Sequence, residues 1–148
     1  SAISTVDAYN TSLVRSTPTA LSQARISIAT TAVGNYGLFG GGSSLNTVDA
    51  YNTSLVRSTP TALSQARDGL AATTVGNYGL FGGGATSNNS SLNTVDAYNT
   101  SLVRSTPTAL SQARDGLAAT TVGNYGLFGG GSFAFDSNFS TVDVYTVV

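Results

Sequence analysis

The sequence contains no cysteine, histidine, tryptophan, methionine, lysine or glutamate, so its charged side chains are six arginines and seven aspartates. Without thiolate or imidazole ligands, it offers no ordinary site for zinc, copper, haem or an iron–sulfur cluster. The same absences exclude Cys–His and Ser–His–Asp nucleophilic catalysis and a lysine Schiff base. The sequence therefore predicts a protein that is not an enzyme of these classes and uses no cofactor or metal.

Charge and hydropathy narrow the set of partners. A net charge of −1 over 148 residues argues against a phosphate-binding surface, so nucleic acid is not an expected partner. The apolar runs are only a few residues long and are interrupted by Thr, Gly and Asn, so we expect no membrane insertion. Nothing in the composition indicates a cellular compartment.

The chain is built from repeats. The motif TVDAYN occurs three times and a variant, TVDVYT, follows, at offsets of 42, 47 and 47 residues. Residues 43–84 and 90–131 are identical at all 42 positions. A period of this length predicts a solenoid, a propeller or another array of like units. The four copies begin at Thr5, Thr47, Thr94 and Thr141.

Within one repeat every local signal favours a β-strand. Short apolar or β-branched runs are separated by turn residues, and the two-residue Gly76-Asn77 junction suits a tight hairpin. The fourth run ends at Pro107 and carries charge, which indicates an outer edge strand. Four strands in about 47 residues fit a propeller blade. The predicted strands are A (residues 70–75), B (78–81), C (93–98) and D (102–106).

Residues 66–83, ARDGLAATTVGNYGLFGG, followed by TVDAY at residues 94–98, resemble a kelch repeat. The resemblance covers essentially the whole chain, three times over, although residues 102–105 (LVRS) stand where kelch blades usually carry a tryptophan. It implies an all-β, kelch-like β-propeller with blades of four antiparallel strands and, most often, a binding scaffold. Galactose-oxidase-like copper enzymes share such propellers but need histidine ligands, which this chain lacks.

The strand count leaves the chain with about three blades in a single segment. Closed propellers typically have four to eight blades. We therefore predict a homodimer in which two chains form a six-bladed ring, each chain's opening strands completing the partner's last blade. One terminal strand, residues 2–9 or 140–148, is then spare, frayed or differently paired. Alternatively, the chain is a segment of a longer propeller. The blade segments are residues 1–20 (C and D), 26–62 (A to D), 68–109 (A to D) and 115–148 (A, B and C).

Charged residues recur just before strand A in each repeat. The arginines there are either an anion-binding ring or structural ties that donate to backbone carbonyls of neighbouring loops. The aspartates that follow two of them either pair with the adjacent arginine or lie near the axis as carboxylates. Glycoside hydrolysis by two facing carboxylates is the least favoured interpretation. These candidate ligand-binding residues are Arg25, Arg67, Arg114, Asp68 and Asp115.

The B–C connections are the parts of the repeat that differ most. They span residues 42–46, 84–93 and 131–140, and share one face of the predicted blades with the D–A loops. Loops on a rigid scaffold carry function, so we place any ligand there. The sequence favours a scaffold for protein binding or self-assembly; the alternative is a lectin-like propeller that binds glycans. Three aromatic residues of the last connection either bind a ligand or pack under the loop or in the seam that closes the ring: Phe133, Phe135 and Phe139.

Overall fold

The computed structural model of the chain describes residues 1–134 and 136–147, and Phe135 therefore lies outside the described residues. Within them every regular element is a β-strand. No helix there has the length and apolar character needed to cross a membrane. The strands are β1 (Ala8–Tyr9), β2 (Arg15–Ser16), β3 (Ala29–Val33), β4 (Tyr36–Gly40), β5 (Val48–Tyr51), β6 (Arg57–Ser58), β7 (Ala71–Val75), β8 (Tyr78–Gly82), β9 (Val95–Tyr98), β10 (Arg104–Ser105), β11 (Ala118–Val122), β12 (Tyr125–Gly129), β13 (Ser132–Phe133), β14 (Ser137–Asn138) and β15 (Val142–Thr146).

The strands form antiparallel sheets in which each strand pairs with its neighbours in the repeat. Two sheets have four strands, in the orders β3-β4-β5-β6 (the first full blade) and β7-β8-β9-β10 (the second full blade). Strands β1 and β2 form the N-terminal hairpin, and β11, β12 and β15 form the C-terminal sheet. The predicted all-β architecture of four-stranded propeller-like blades is thus confirmed. A further pair, β13 with β14, forms a loop hairpin that the sequence analysis did not predict.

The A–B hairpin follows directly from its turn residues. Val75 pairs with Tyr78, and Gly76 between them has φ +55°, a conformation that glycine adopts without steric cost. Strand D starts later than predicted because Leu102 has φ +61°, which lies outside the extended region that a β-strand requires. The observed strand starts only at Arg104, after this turn.

The core lies between blades rather than within one sheet. Phe81 of β8 lies over Gly40 of β4, where an added Cβ would come within 2.6 Å of the ring. Phe128 of β12 lies over Gly82 in the same way, at 2.7 Å. Both phenylalanines are fully buried. We call this arrangement the Phe–Gly contact; it positions each blade on the preceding one.

The innermost strands are also joined by hydroxyl groups. The Oγ1 atoms of Thr31 and Thr74 lie 2.9 Å apart, which links β3 to β7. Those of Thr73 and Thr121 lie 2.7 Å apart and link β7 to β11. Threonine is favoured in strands because of its β-branching, and here its hydroxyl adds a link between neighbouring sheets.

Candidate functional site

The arginine before β7 is buried and bonded to its own blade. Arg67 Nη2 donates to Asp96 Oδ2 at 2.8 Å and to Phe81 O at 3.2 Å. Its Nη1 donates to Thr94 O at 2.7 Å and to Gly83 O at 3.2 Å. A guanidinium with this many acceptors fixes the loop that precedes β7 to the ends of β8 and β9.

The same arrangement recurs in the other two repeats. Arg25 Nη2 donates to Asp49 Oδ2 at 2.7 Å, and Arg114 Nη2 donates to Asp143 Oδ2 at the same distance. Burial lowers the pKa of Arg25 and of Arg67, although the facing aspartate acts in the opposite direction. All three arginines, predicted as candidate ligand-binding residues, thus lie in the interior in the arrangement expected of loop ties.

Asp68 and Asp115 take serine partners rather than the adjacent arginines. Asp68 Oδ2 accepts from Ser44 Oγ at 3.2 Å, and Asp115 Oδ2 accepts from Ser91 Oγ at 2.8 Å. The arginine beside each aspartate points to strand C of its own blade, which explains why neighbours in sequence do not pair. The two aspartates therefore connect D–A loops to B–C loops.

The D–A and B–C loops meet at one end of the sheets, as the sequence predicts. Asp68 exchanges backbone hydrogen bonds with Ala85, and Asp115 exchanges them with Ser132. Gly116 N donates to Gly69 O at 2.9 Å, which links successive D–A loops. We call this end the loop face; its described residues are 26–28, 42–46, 68–69, 84–93, 115–116, 131–134 and 136–140.

The aromatic candidates lie on the loop face in different environments. Phe133 belongs to β13 of the loop hairpin and is 48% exposed. Phe139 is half-buried, and its amide donates to Gly131 O at 2.9 Å. Phe135 is the third predicted residue and lies outside the described part of the chain. The hairpin is tied to the preceding loop because Ala134 N donates to Ser91 Oγ at 3.1 Å.

Tyr98 of strand C packs in the hydrophobic cluster between the two full blades. Tyr98 Oη donates to Thr61 O at 2.6 Å, and its ring meets Phe81 edge-on with centroids 5.9 Å apart. Burial raises the pKa of Tyr98, and the charge of Asp96 raises it further. Burial likewise raises the pKa of Tyr145, its counterpart in the C-terminal sheet, to about 12.

The residues of the two end faces, which are the outer sides of the first full blade and of the C-terminal sheet, were not predicted from the sequence. Phe39 occupies the same repeat position as Phe81 but remains half-buried. At the other end, a Cβ added to Gly129 would meet only Val142, at 3.6 Å. The recurring YGLFGG segment contains both partners of the contact, so it was the available signal.

Comparison with known proteins supports the fold and adds no activity. No family model matches the chain, and no curated protein matches it in sequence. It is similar to the solved structure of YjhT, with a TM-score of 0.80 and 16% sequence identity. The alignment covers 97% of this chain and 50% of that one, so the chain spans half the length of this neighbour. At this identity the similarity is one of fold.

Proposed function

We propose that this chain is a kelch-type repeat scaffold without catalytic activity, which forms a six-bladed ring from two copies. In this ring the loop face of both copies presents a binding surface to a protein partner. The coarser description, a propeller-like scaffold of repeated antiparallel blades, follows from the sheets described above.

The observation that carries the proposal is the unfilled Phe–Gly contact at each end of the chain. Phe81 and Phe128 each cover a glycine of the preceding blade. Phe39 and Gly129 are the two halves of a further such contact, and each lies on an end face of the chain. A second copy related by a twofold axis brings Phe39 of one chain to Gly129 of the other, at both seams.

A second pair of positions at the ends is complementary in the same way. Inside the chain, Gly126 lies beneath Val75, and a Cβ added to this glycine would overlap Val75 Cγ2. The open glycine of this type is Gly37, which has no atom within 4 Å of an added Cβ. The open valine is Val122, which is exposed. Ring closure by a second copy brings Val122 to Gly37 and covers both.

The number of blades supports two copies. Closed propellers generally have four to eight blades, and about three blades leave two apolar end faces open to water. Burial of the two end faces is the source of the free energy of association.

The kelch assignment and the absence of catalysis rest on the residues. Each repeat combines the predicted arginine, a Tyr-containing strand with a glycine doublet and a strand ending in Tyr, in the order that kelch repeats have.

Asp68 and Asp115 are bonded to serines, and Asp96 is bonded to Arg67. The chain has no histidine, lysine, cysteine or glutamate to serve as a base or nucleophile beside them. The loop face, with its variable connections, is the surface we assign to a partner.

The solution mass tests this proposal, measured by light scattering after size exclusion. We expect the wild type at twice the mass of one chain and Gly129→Val at the mass of one chain, because the valine fills the space that Phe39 of the partner needs. Asn88→Val is the matched control: it adds the same side chain to an exposed loop position and should leave the dimer intact. A wild type that stays at single-chain mass at high concentration would rule out the ring.

A further inference from the structure

The turn between β9 and β10 shows how a C–D hairpin docks on the preceding blade. Tyr98 Oη donates to Thr61 O, and Arg104 Nη1 donates to Ala62 O, both at 2.6 Å. Leu102, at the tip of the turn, packs against the hydrophobic cluster between the two full blades. These three side chains attach the hairpin to the blade before it.

The equivalent docking site on the second full blade is only partly filled. Tyr145 of β15 donates to Thr108 O at 2.7 Å, as Tyr98 does to its own acceptor. No described residue takes the place of Arg104 beside Ala109 O, where a cavity of about 470 Å³ lies. A second cavity of about 280 Å³ takes the place of Leu102. Its lining includes Val75, Leu80 and Ala97 of the second full blade and Tyr145, Thr146 and Val147 at the end of the C-terminal sheet.

The N-terminal hairpin carries the missing side chains in the required conformation. Asn10 Oδ1 accepts from the amides of Ser12 and Val14, both at 3.0 Å, as the corresponding asparagine does in the other turns. Leu13 has φ +61°, the value found for Leu102. The hairpin is therefore preformed, yet Leu13 is 80% exposed. Leu13 thus has the conformation of the partly buried Leu102 without its contacts, which indicates a docking element without its partner.

We propose that the N-terminal hairpin of a second copy docks on the second full blade and replaces β15 beside β12. Leu13 then fills the smaller cavity and Arg15 donates to Ala109 O. Tyr9 takes the acceptor that Tyr145 holds in the single chain. This inference rests on the proposed two-copy ring and names the strands and residues that form its seam.

Three features indicate that β15, rather than β1, is the strand that yields. Val144 stands where Ala50 and Ala97 are almost completely buried, so in a closed ring its larger side chain would force its neighbours to shift. Thr146 replaces the asparagine that shapes the turn after strand C in the other copies. The third feature is the weaker binding of Asp143.

Asp143 is held by fewer bonds than its counterparts. Asp96 Oδ2 accepts from both the amide and the hydroxyl of Ser64, at 3.1 and 3.0 Å. Asp143 Oδ2 accepts from the amide of Ser111 at 3.1 Å, and no bond from the serine hydroxyl is formed. Exchange for the partner's Asp7 therefore replaces the least strongly bonded of the three aspartates that pair with a buried arginine.

The exchange preserves the contacts of strand C and adds those of strand D. The edge of β12 pairs with β1 of the partner in place of β15, and Arg114 meets Asp7 in place of Asp143. Docking then adds the burial of Leu13 and the hydrogen bond of Arg15. An exchange of equivalent elements between copies loses little and is a common route to dimers.

A leucine and its neighbour supply a matched test. Leu13→Asp places a charge in the apolar cavity and should raise the dimer dissociation constant at least about tenfold. Val14→Asp should change it less than about twofold, because Val103, the same position in a docked hairpin, is still 60% exposed. Light scattering over a concentration series measures both constants. Equal constants for Leu13→Asp and the wild type would overturn the inference.

Engineered cysteines distinguish the two strands, because the chain has no cysteine of its own. A Cβ on Gly34 would lie 3.4 Å from Thr100 Cβ, close to the separation in a disulfide. Gly76 occupies the repeat position of Gly34. It faces Thr11 of a second copy if the strands exchange, and Val147 of its own chain if they do not. The Val147 Cβ lies 3.9 Å from a Cβ added to Gly76. Gly34→Cys/Thr100→Cys should form a disulfide within one chain. It controls for the strain of a cysteine at this positive-φ turn position.

We expect Thr11→Cys/Gly76→Cys to give covalent dimers on mild oxidation and Gly76→Cys/Val147→Cys to stay reduced. The reverse result in a protein of dimer mass would overturn the strand exchange and leave the two-copy ring intact. A wild type of single-chain mass would overturn both. Denaturing electrophoresis without reductant separates covalent dimers from single chains.

Discussion

Arg67 and Asp96 form an ion pair with an Nη2–Oδ2 distance of 2.8 Å and no exposed surface on either side chain. The same carboxylate accepts from the amide and hydroxyl of Ser64, in the loop that leads to β7. The pair thus fastens this loop to β9. Because a buried ion without its partner is costly, the two residues depend on each other for the stability of the blade.

Replacing this carboxylate with an amide should destabilise the fold strongly. Asp96→Asn keeps the size of the side chain but leaves the Arg67 charge buried and uncompensated, so we expect a loss of about 3–5 kcal/mol in the free energy of unfolding. Asp136→Asn, at an exposed position of the loop hairpin, should change it by no more than about 0.5 kcal/mol. Urea titration measures both. Similar losses in the two variants would contradict the role of the ion pair.

A pair of glycines separates packing within the chain from packing between chains. Gly82→Ala places a Cβ 2.7 Å from the ring of Phe128 and should lower the free energy of unfolding by about 1–3 kcal/mol. Gly129→Ala meets only Val142 at 3.6 Å, so unfolding of the dissociated chain should be unaffected while the dimer weakens. Unfolding at protein concentrations below the dimer dissociation constant measures the stability of the chain. Sedimentation at concentrations above it measures dimerisation. An equal loss of chain stability would show that Gly129 is not an open contact.

The local structure was the part that sequence could predict. Gly76 and Asn77 predicted the tight A–B hairpin, and the pairing of Val75 with Tyr78 confirms it. The strand D prediction was wrong at its start because Asn99 Oδ1 bonds two amides and holds Leu102 at positive φ. A leucine in that conformation has no signal of its own in the sequence.

The longer-range relationships required the structure. Arg67 has an aspartate beside it, yet its partner Asp96 is 29 residues away and is selected by the register of strands B and C. Phe39 and Phe81 lie in identical local sequences, YGLFGGG, and differ only in their place in the array. The half-buried state of Phe39 and the complete burial of Phe81 therefore follow from which blades are present, which no local pattern encodes.

Removing the hydroxyl of Thr74 should weaken the link between the innermost strands. Thr74 Oγ1 donates to Ala32 O at 2.6 Å and lies 2.9 Å from Thr31 Oγ1. Thr74→Val keeps the shape and removes both bonds, so we expect a loss of about 1 kcal/mol in the free energy of unfolding. Thr100→Val, in the exposed C–D turn, is the control. A neutral Thr74→Val would mean that water replaces these bonds at no cost.

The buried Tyr98 makes the free energy of unfolding fall at alkaline pH. Burial raises the pKa of Tyr98 above its ordinary value of about 10. The unfolded chain therefore loses this proton first, and the stabilisation is complete below about pH 10 and decreases as the pH rises beyond it. Ionisation of Tyr98 would also break its bond to Thr61 O.

Tyr98→Phe should remove the part of this alkaline dependence that Tyr98 contributes, together with the hydrogen bond. We expect the variant to be less stable than the wild type at neutral pH by about 1 kcal/mol and to lose stability less steeply above about pH 10. Tyr125→Phe, which changes an exposed tyrosine, should follow the wild-type curve. Urea unfolding at a series of pH values gives the slopes, and tyrosinate absorbance reports ionisation directly. Parallel curves for Tyr98→Phe and the wild type would mean that the alkaline loss arises elsewhere in the chain.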